Sequence, residues 1–197
     1  KALTPLDHAT DVAIALGRVK SLPAVIMADV ADNPGGGGSG NTTFIAKAFT
    51  DAGVDGAFIG LMIDPAVAAM AHKVGVGGRF TANFNAEPRT EFDDPLSLEV
   101  TVDVLTNGSF AGRRGLLKGR AIELGPCALL SVGGVRIGVA SNRKQCADPA
   151  MIEQFGLNIA DLRTVVVKSR GHFRAGFDEF FAPNQVLEIG CPGLTSP

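Results

Sequence analysis

From Leu96 to Val104 the chain reads Leu-Ser-Leu-Glu-Val-Thr-Val-Asp-Val, with every even position apolar and every odd one polar. Such strict alternation predicts a strand with one dry face and one wet face, the habit of antiparallel sheet. On either side the pattern changes. Pro23–Val30, Ala57–Met62 and Thr164–Lys168 are short apolar runs without alternation, as expected of strands buried on both faces. Each is followed by a turn and a helical pattern. The chain is therefore expected to be α/β, a mixed sheet flanked by helices with an inserted antiparallel β-meander.

The remaining elements follow from local signals. Thr4-Pro5 with Asp7 in the first turn predicts a helix start, continued by Leu6, Ala9, Ala13 and Leu16 and stopped at Gly17. Further helices are expected from Thr42 to Gly53, from Asp64-Pro65 to Gly75, over 149–155 and over 172–180. Phe80–Phe84 and Gln185–Ile189 read as strands, and Asn107-Gly108 and Gly133-Gly134 as hairpin turns.

A length of 197 residues, 46% hydrophobic and 19% charged, predicts one globular domain over 1–197. The net charge of −2 argues against a nucleic-acid partner, which needs a strongly basic face. No apolar run approaches the ~18 residues of a membrane span. Asp7, His8 and Asp11 stand where a signal peptide needs an apolar stretch. Cys127, Cys146 and Cys191 are odd in number and lack C-x-x-C spacing, so neither a disulfide framework nor a cysteine zinc site is expected. Together these readings predict a cytoplasmic chain with idle thiols. Its first residue is Lys1, which reads as a piece of something longer.

The stretch Asp29-Val-Ala-Asp-Asn-Pro-Gly-Gly-Gly-Gly-Ser-Gly-Asn-Thr-Thr43 joins an apolar run to a helix. Its glycines match a dinucleotide fingerprint only because five glycines in six positions match almost any spacing. As a phosphate loop it carries Asn41 where the phosphate-neutralising lysine belongs. The narrower expectation is that loop amides and a helix N-terminus can hold a carboxylate or oxyanion. Asp29 and Asp32 fall at a strand's C-terminal end, where open α/β sheets bind ligands. They can hold a metal, position a substrate amine or act as general base; equally, Asp32 and Asn33 can simply cap turns before Pro34.

Thr164-Val-Val-Val-Lys-Ser-Arg-Gly-His-Phe-Arg174 repeats the strand–turn–helix design and offers Lys168, Ser169, His172 and Arg174 within seven residues. These supply a cation, a hydroxyl, an imidazole and a carboxylate clamp, or else only cap a helix start. If both loops reach one sheet edge, they form one mixed-charge site. His8, His72 and His172 stand apart with no His-Glu-x-x-His, so no zinc site is expected within this chain. Arg113, Arg114, Lys118 and Arg120 read as a solvated basic loop.

Asp29-Val-Ala-Asp-Asn-Pro-Gly-Gly-Gly, Gly40-Asn-Thr-Thr43, Asp64-Pro65 and Val167-Lys-Ser-Arg-Gly-His-Phe-Arg-Ala175 resemble the C-terminal domain of the MlrC family of microcystin-degradation and metallopeptidase-like proteins. The similarity runs over nearly the whole chain. It implies a zinc-dependent amide hydrolase acting on linearised microcystin or another small peptide or amide. It also implies that the zinc ligands belong to an N-terminal metal-binding domain, the partner across a cleft, without which this part is inactive. On that resemblance Asp32 and His172 are the catalytic candidates. Asp29, Asn33, Gly36, Gly37, Gly38, Gly40, Lys168 and Arg174 are the substrate-binding ones. Asn41 stands where relatives often carry aspartate. The alternative is a non-catalytic module that binds an anion or metabolite at the glycine-rich loop.

Overall fold

The structure, a computed structural model, describes residues 2–196. Its strands are β1 (Thr4–Pro5), β2 (Val25–Asp29), β3 (Ala57–Ile63), β4 (Arg79–Phe84), β5 (Leu96–Thr106), β6 (Ser109–Ala111), β7 (Ala121–Glu123), β8 (Cys127–Val132), β9 (Val135–Ala140), β10 (Thr164–Val167) and β11 (Val186–Gly190). Between them run α1 (Leu6–Arg18), α2 (Phe44–Asp51), α3 (Pro65–Val74), α4 (Ala150–Glu153) and α5 (Arg174–Phe177). Nine strands make one mixed sheet in the order β1-β11-β2-β10-β3-β9-β8-β5-β4. Pairing is parallel from β1 to β9 and antiparallel from β9 to β4. The meander is thus a continuation of the parallel sheet, joined to it through β9 on β3.

Because strand side chains alternate, each buried strand feeds two cores. Met27, Ile59 and Val166 face the layer of α1, α2 and α3, meeting Ala9, Phe49 and Ala68. Ile26, Phe58 and Val165 face the opposite layer, with Met151 of α4, Phe177 of α5 and Ile122 of β7. This explains why the parallel strands read as unbroken apolar runs.

Several boundaries differ from the sequence reading. Pro5, not Thr4, takes the cap position of α1, because Thr4–Pro5 pairs with Ile189–Gly190 as an edge strand. The helix also passes Gly17 to end at Arg18. The expected helices over 149–155 and 172–180 shrink to Ala150–Glu153 and Arg174–Phe177. Within α5, Gly176 lies so close to Ala147 that a Cβ would meet its carbonyl oxygen at 2.4 Å. Gly133-Gly134 does turn β8 into β9, with Val132 opposite Val135. Asn107-Gly108 does not join paired strands; it sends the chain out of the sheet into the separate β6–β7 ribbon.

The alternation of β5 holds only as far as Val102. A bulge between Val102 and Val104 adds one residue and exchanges the faces, so Val104 packs in the second core and Leu105 against the first. Of the basic cluster, Lys118 and Arg120 are exposed as expected, whereas Arg113 and Arg114 are tied to acids. Arg113 pairs with Glu153 and Glu179, Arg114 pairs with Asp178, and both backbone amides donate to Asp148.

Gly138 of β9 sits under the Phe58 ring, where a Cβ would come within 2.9 Å of the ring and 3.1 Å of Leu61. Gly138→Ala is expected to destabilise the fold by about 1–3 kcal/mol through overpacking. Urea unfolding measures this, and adding Phe58→Leu should return part of the loss.

Candidate functional site

The site grows out of strand register. Val166 pairs with Met27 and Val167 with Ala28, so one further step sets Lys168 beside Asp29. Both side chains then point to the α2 face, the face of Met27 and Val166. The Lys168 ammonium lies 3.1 Å from Asp29 Oδ2 and 2.7 Å from Asp32 Oδ2. It also donates to the Thr42 carbonyl oxygen at 2.8 Å and to Thr42 Oγ1 at 3.0 Å. Lys168, Asp29 and Asp32 are all buried. The two loops singled out in the sequence therefore do meet.

Asp32 also organises the glycine loop. Its Oδ1 accepts from the Gly40 amide at 2.6 Å, and its Oδ2 from the Thr42 amide at 2.8 Å and the Thr42 hydroxyl at 2.9 Å. The other glycine amides are occupied as well. Gly35 donates to Asn33 Oδ1, Gly36 and Gly38 to the Asn33 carbonyl, and Gly37 to the Pro34 carbonyl. The anion held at the start of α2 is thus the chain's own Asp32, and the glycines expected to cradle a foreign anion are engaged within the loop. Asn33 caps the turn at Pro34, and its amide donates to Thr195 Oγ1.

The electrostatics follow from burial opposed by pairing. Burial alone would raise Asp32, but the Lys168 charge and the donors around it hold its carboxyl below the ordinary value. For Asp29 burial prevails over Lys168 and the value is raised; its Oδ1 is buried without a partner among the described residues. Burial would lower Lys168, yet the two carboxylates hold it above its ordinary value. Burial pushes the thiols of Cys127 up to about 11 and of Cys146 and Cys191 to about 12, so none is a ready nucleophile.

On the far side of the glycine loop His172 is exposed, with Nδ1 2.9 Å from Gln145 Oε1. Arg174 is not brought to the loops: it pairs with Glu188 and stacks over Phe173. A polar cleft of about 680 Å3 opens at the C-terminal ends of β3 and β9. Asn41, Asp64, Asn85, Arg89, Asp93 and Arg143 are among its walls. Asn41 ties them together, donating to Asn85 at 2.8 Å and to Asp93 at 3.0 Å. Asp93 also accepts from the Arg89 and Thr90 amides; burial opposes its charge, but these donors hold its carboxyl low. Arg143 donates to the Gly38 carbonyl at 2.9 Å, fixing the cleft wall to the glycine loop.

Sequence reading missed Thr42, Gln145, Asn85, Asp93 and Arg143. Asp64 was visible only as a helix cap, which it is, accepting from the Val67 amide. Asn85 has a left-handed backbone with φ of 52°, a conformation asparagine tolerates, but no flanking pattern announces it.

The residues present do not fit a metal ion. The space between Asp29 and Asp32 is filled by an ammonium, and among the described residues no three His, Cys, Asp or Glu side chains converge.

The fold defined by this sheet is shared with a crystal structure from Mesorhizobium sp. BNC1 provisionally named a metallopeptidase. That likeness has a TM-score of 0.83 at 21% identity, covering 100% of this chain and 38% of the other. The chain belongs to the family described as MlrC C-terminus, whose profile matches residues 27–197. It is similar to Microcystinase C of Sphingomonas sp., 30% identical over 166 residues, which is 84% of this chain and 32% of that relative. The chain thus spans about a third of the length of the proteins it resembles.

Lys168→Met removes the counter-ion from two buried carboxylates and is expected to cost about 3–5 kcal/mol near neutral pH. In the wild type, Asp32, with its value lowered, contributes stability above its ordinary 3.8 that is lost as pH falls through the folded value. Asp29, raised, has the opposite sign: its contribution is present below 3.8 and is lost as pH rises through its folded value. Without the ammonium both carboxylates follow the Asp29 pattern. The variant should therefore regain stability as pH falls from neutral towards the ordinary 3.8 of the two carboxyls, measured by denaturant unfolding at each pH.

Proposed function

We propose that this chain supplies the substrate-binding part of a zinc-dependent peptidase or amide hydrolase, inactive alone, whose zinc is held by a separate N-terminal metal-binding domain. The observation that carries this reading is the polar cleft at the C-terminal ends of parallel strands, where α/β folds bind small ligands. Family membership supports it. No step assigned to this chain runs through the zinc.

In this reading the cleft takes a small peptide or amide, and Arg143 and Arg89 meet its carbonyl or carboxylate oxygens. Neither guanidinium has a carboxylate partner among the described residues, whereas Arg113, Arg114 and Arg174 do. Asp32, with both oxygens engaged, acts as a positioning residue with Lys168 and Asp29, holding the loop that anchors Arg143. His172, across the glycine loop from the cleft and outside its lining, is the imidazole this reading assigns to proton transfer. The chain works in a reducing cytoplasm, which suits three buried free thiols. Among the described residues no helix is long and apolar enough to cross a membrane. Against the anion-module alternative stands the engagement of the loop's glycine amides by Asp32, Asn33 and Pro34.

The test uses the full-length protein. Purified protein should contain zinc and hydrolyse small peptides, with both lost on chelation. Arg143→Ala should raise KM about tenfold or more, the effect of losing a charge-assisted hydrogen bond. His172→Ala should lower kcat by on the order of 10²-fold or more. A zinc-free protein without amidase activity, or both variants with unchanged kcat/KM, would overturn the reading.

A further inference from the structure

His172 is exposed, yet its ring is held from inside the protein. Nδ1 faces Gln145 Oε1 at 2.9 Å, and Gln145 Nε2 donates to Ser169 Oγ at 2.7 Å. Gln145 and Ser169 are both buried, at 9% and 0% exposure. An exposed histidine at the start of a short helix needs no such support, and burying two polar side chains is costly unless each is satisfied.

The arrangement has a direction. As the structure orients Gln145, its nitrogen donates to Ser169 and its carbonyl oxygen, which accepts and cannot donate, faces His172. In that orientation Nδ1 carries the ring proton, and in the neutral imidazole Nε2 is left with its lone pair. Gln145 accounts for this relay's fit with the glycine loop as well. A Cβ on Gly35 would lie 2.4 Å from Gln145 Oε1, so only glycine at this position leaves the amide room beside His172. Ser169 directly follows Lys168, so the relay is mounted on the same strand end as the buried ion cluster.

We infer that Gln145 and Ser169 are positioning residues that hold His172 as the Nδ1–H tautomer and present Nε2 as a proton acceptor. The role given to that acceptor rests on the hydrolase reading above. The proton Nε2 takes is the one released by the attacking water or nucleophile. It leaves to the departing amine, so the imidazole returns to its starting state and no other reactant is required.

The experiment is 15N NMR of histidine-labelled full-length protein, in the pH range where the imidazole is neutral, with peptide hydrolysis measured in parallel. Free imidazole favours the Nε2–H form, so an Nδ1–H signature at His172 reports the relay itself. Wild type should show it, Gln145→Leu should lose it, and Gln145→Glu, which keeps an acceptor facing Nδ1, should retain it. Gln145→Leu should lower kcat at least about tenfold with KM nearly unchanged, and Gln145→Glu should recover part of kcat. An Nε2–H wild type, or the same tautomer in Gln145→Leu, overturns the inference. So does a changed tautomer with unchanged kcat. If the wild type hydrolyses no peptide, the hydrolase reading fails by itself, and the tautomer series alone decides whether the relay exists.

Discussion

One buried ammonium ties the glycine loop to the paired ends of β2 and β10. Lys168 stands one residue past β10, beside a carboxylate that ends β2, and it reaches across to Asp32 and Thr42 at the entry to α2. A buried lysine or aspartate alone would be expelled or neutralised. Together they convert strand register into loop position. The glycine loop is then folded around its own internal anion, and Arg143, through the Gly38 carbonyl, passes that position on to the cleft wall.

Much of the fold was legible because burial leaves different traces on different strands. Unbroken apolar runs marked β2, β3 and β10, and alternation marked the first part of β5. What sequence did not carry were effects set by neighbours far along the chain. Thr4–Pro5 became a strand because β11 lay beside it. The last two helices are shorter than their periodicity suggests, ending at Glu153 and Phe177. Arg113 and Arg114 found acids more than thirty residues away.

The candidate site was legible in its charges and not in their use. Asp29, Asp32, Lys168 and His172 stand out by type and by their place after strand-like runs. Whether two acids and a lysine bind a ligand or one another depends on register, which the local pattern does not state. Gln145, Asn85 and Arg143 lie in segments with no periodicity or motif, so their roles emerge only when the strand ends are set side by side. Arg174 shows the reverse, a residue near the right motif whose helix turns it towards Glu188.

The bulge in β5 also decides which substitutions this strand can accept. Up to Val102 a change at an odd-numbered position meets solvent, while one at an even-numbered position meets the α-helical layer. Beyond it the parity is reversed and both sides touch core. A polar replacement harmless at Thr101 would be costly at Leu105, although both positions are odd. The line between tolerant and intolerant surface therefore crosses this strand at residue 103 instead of following the gap between strands.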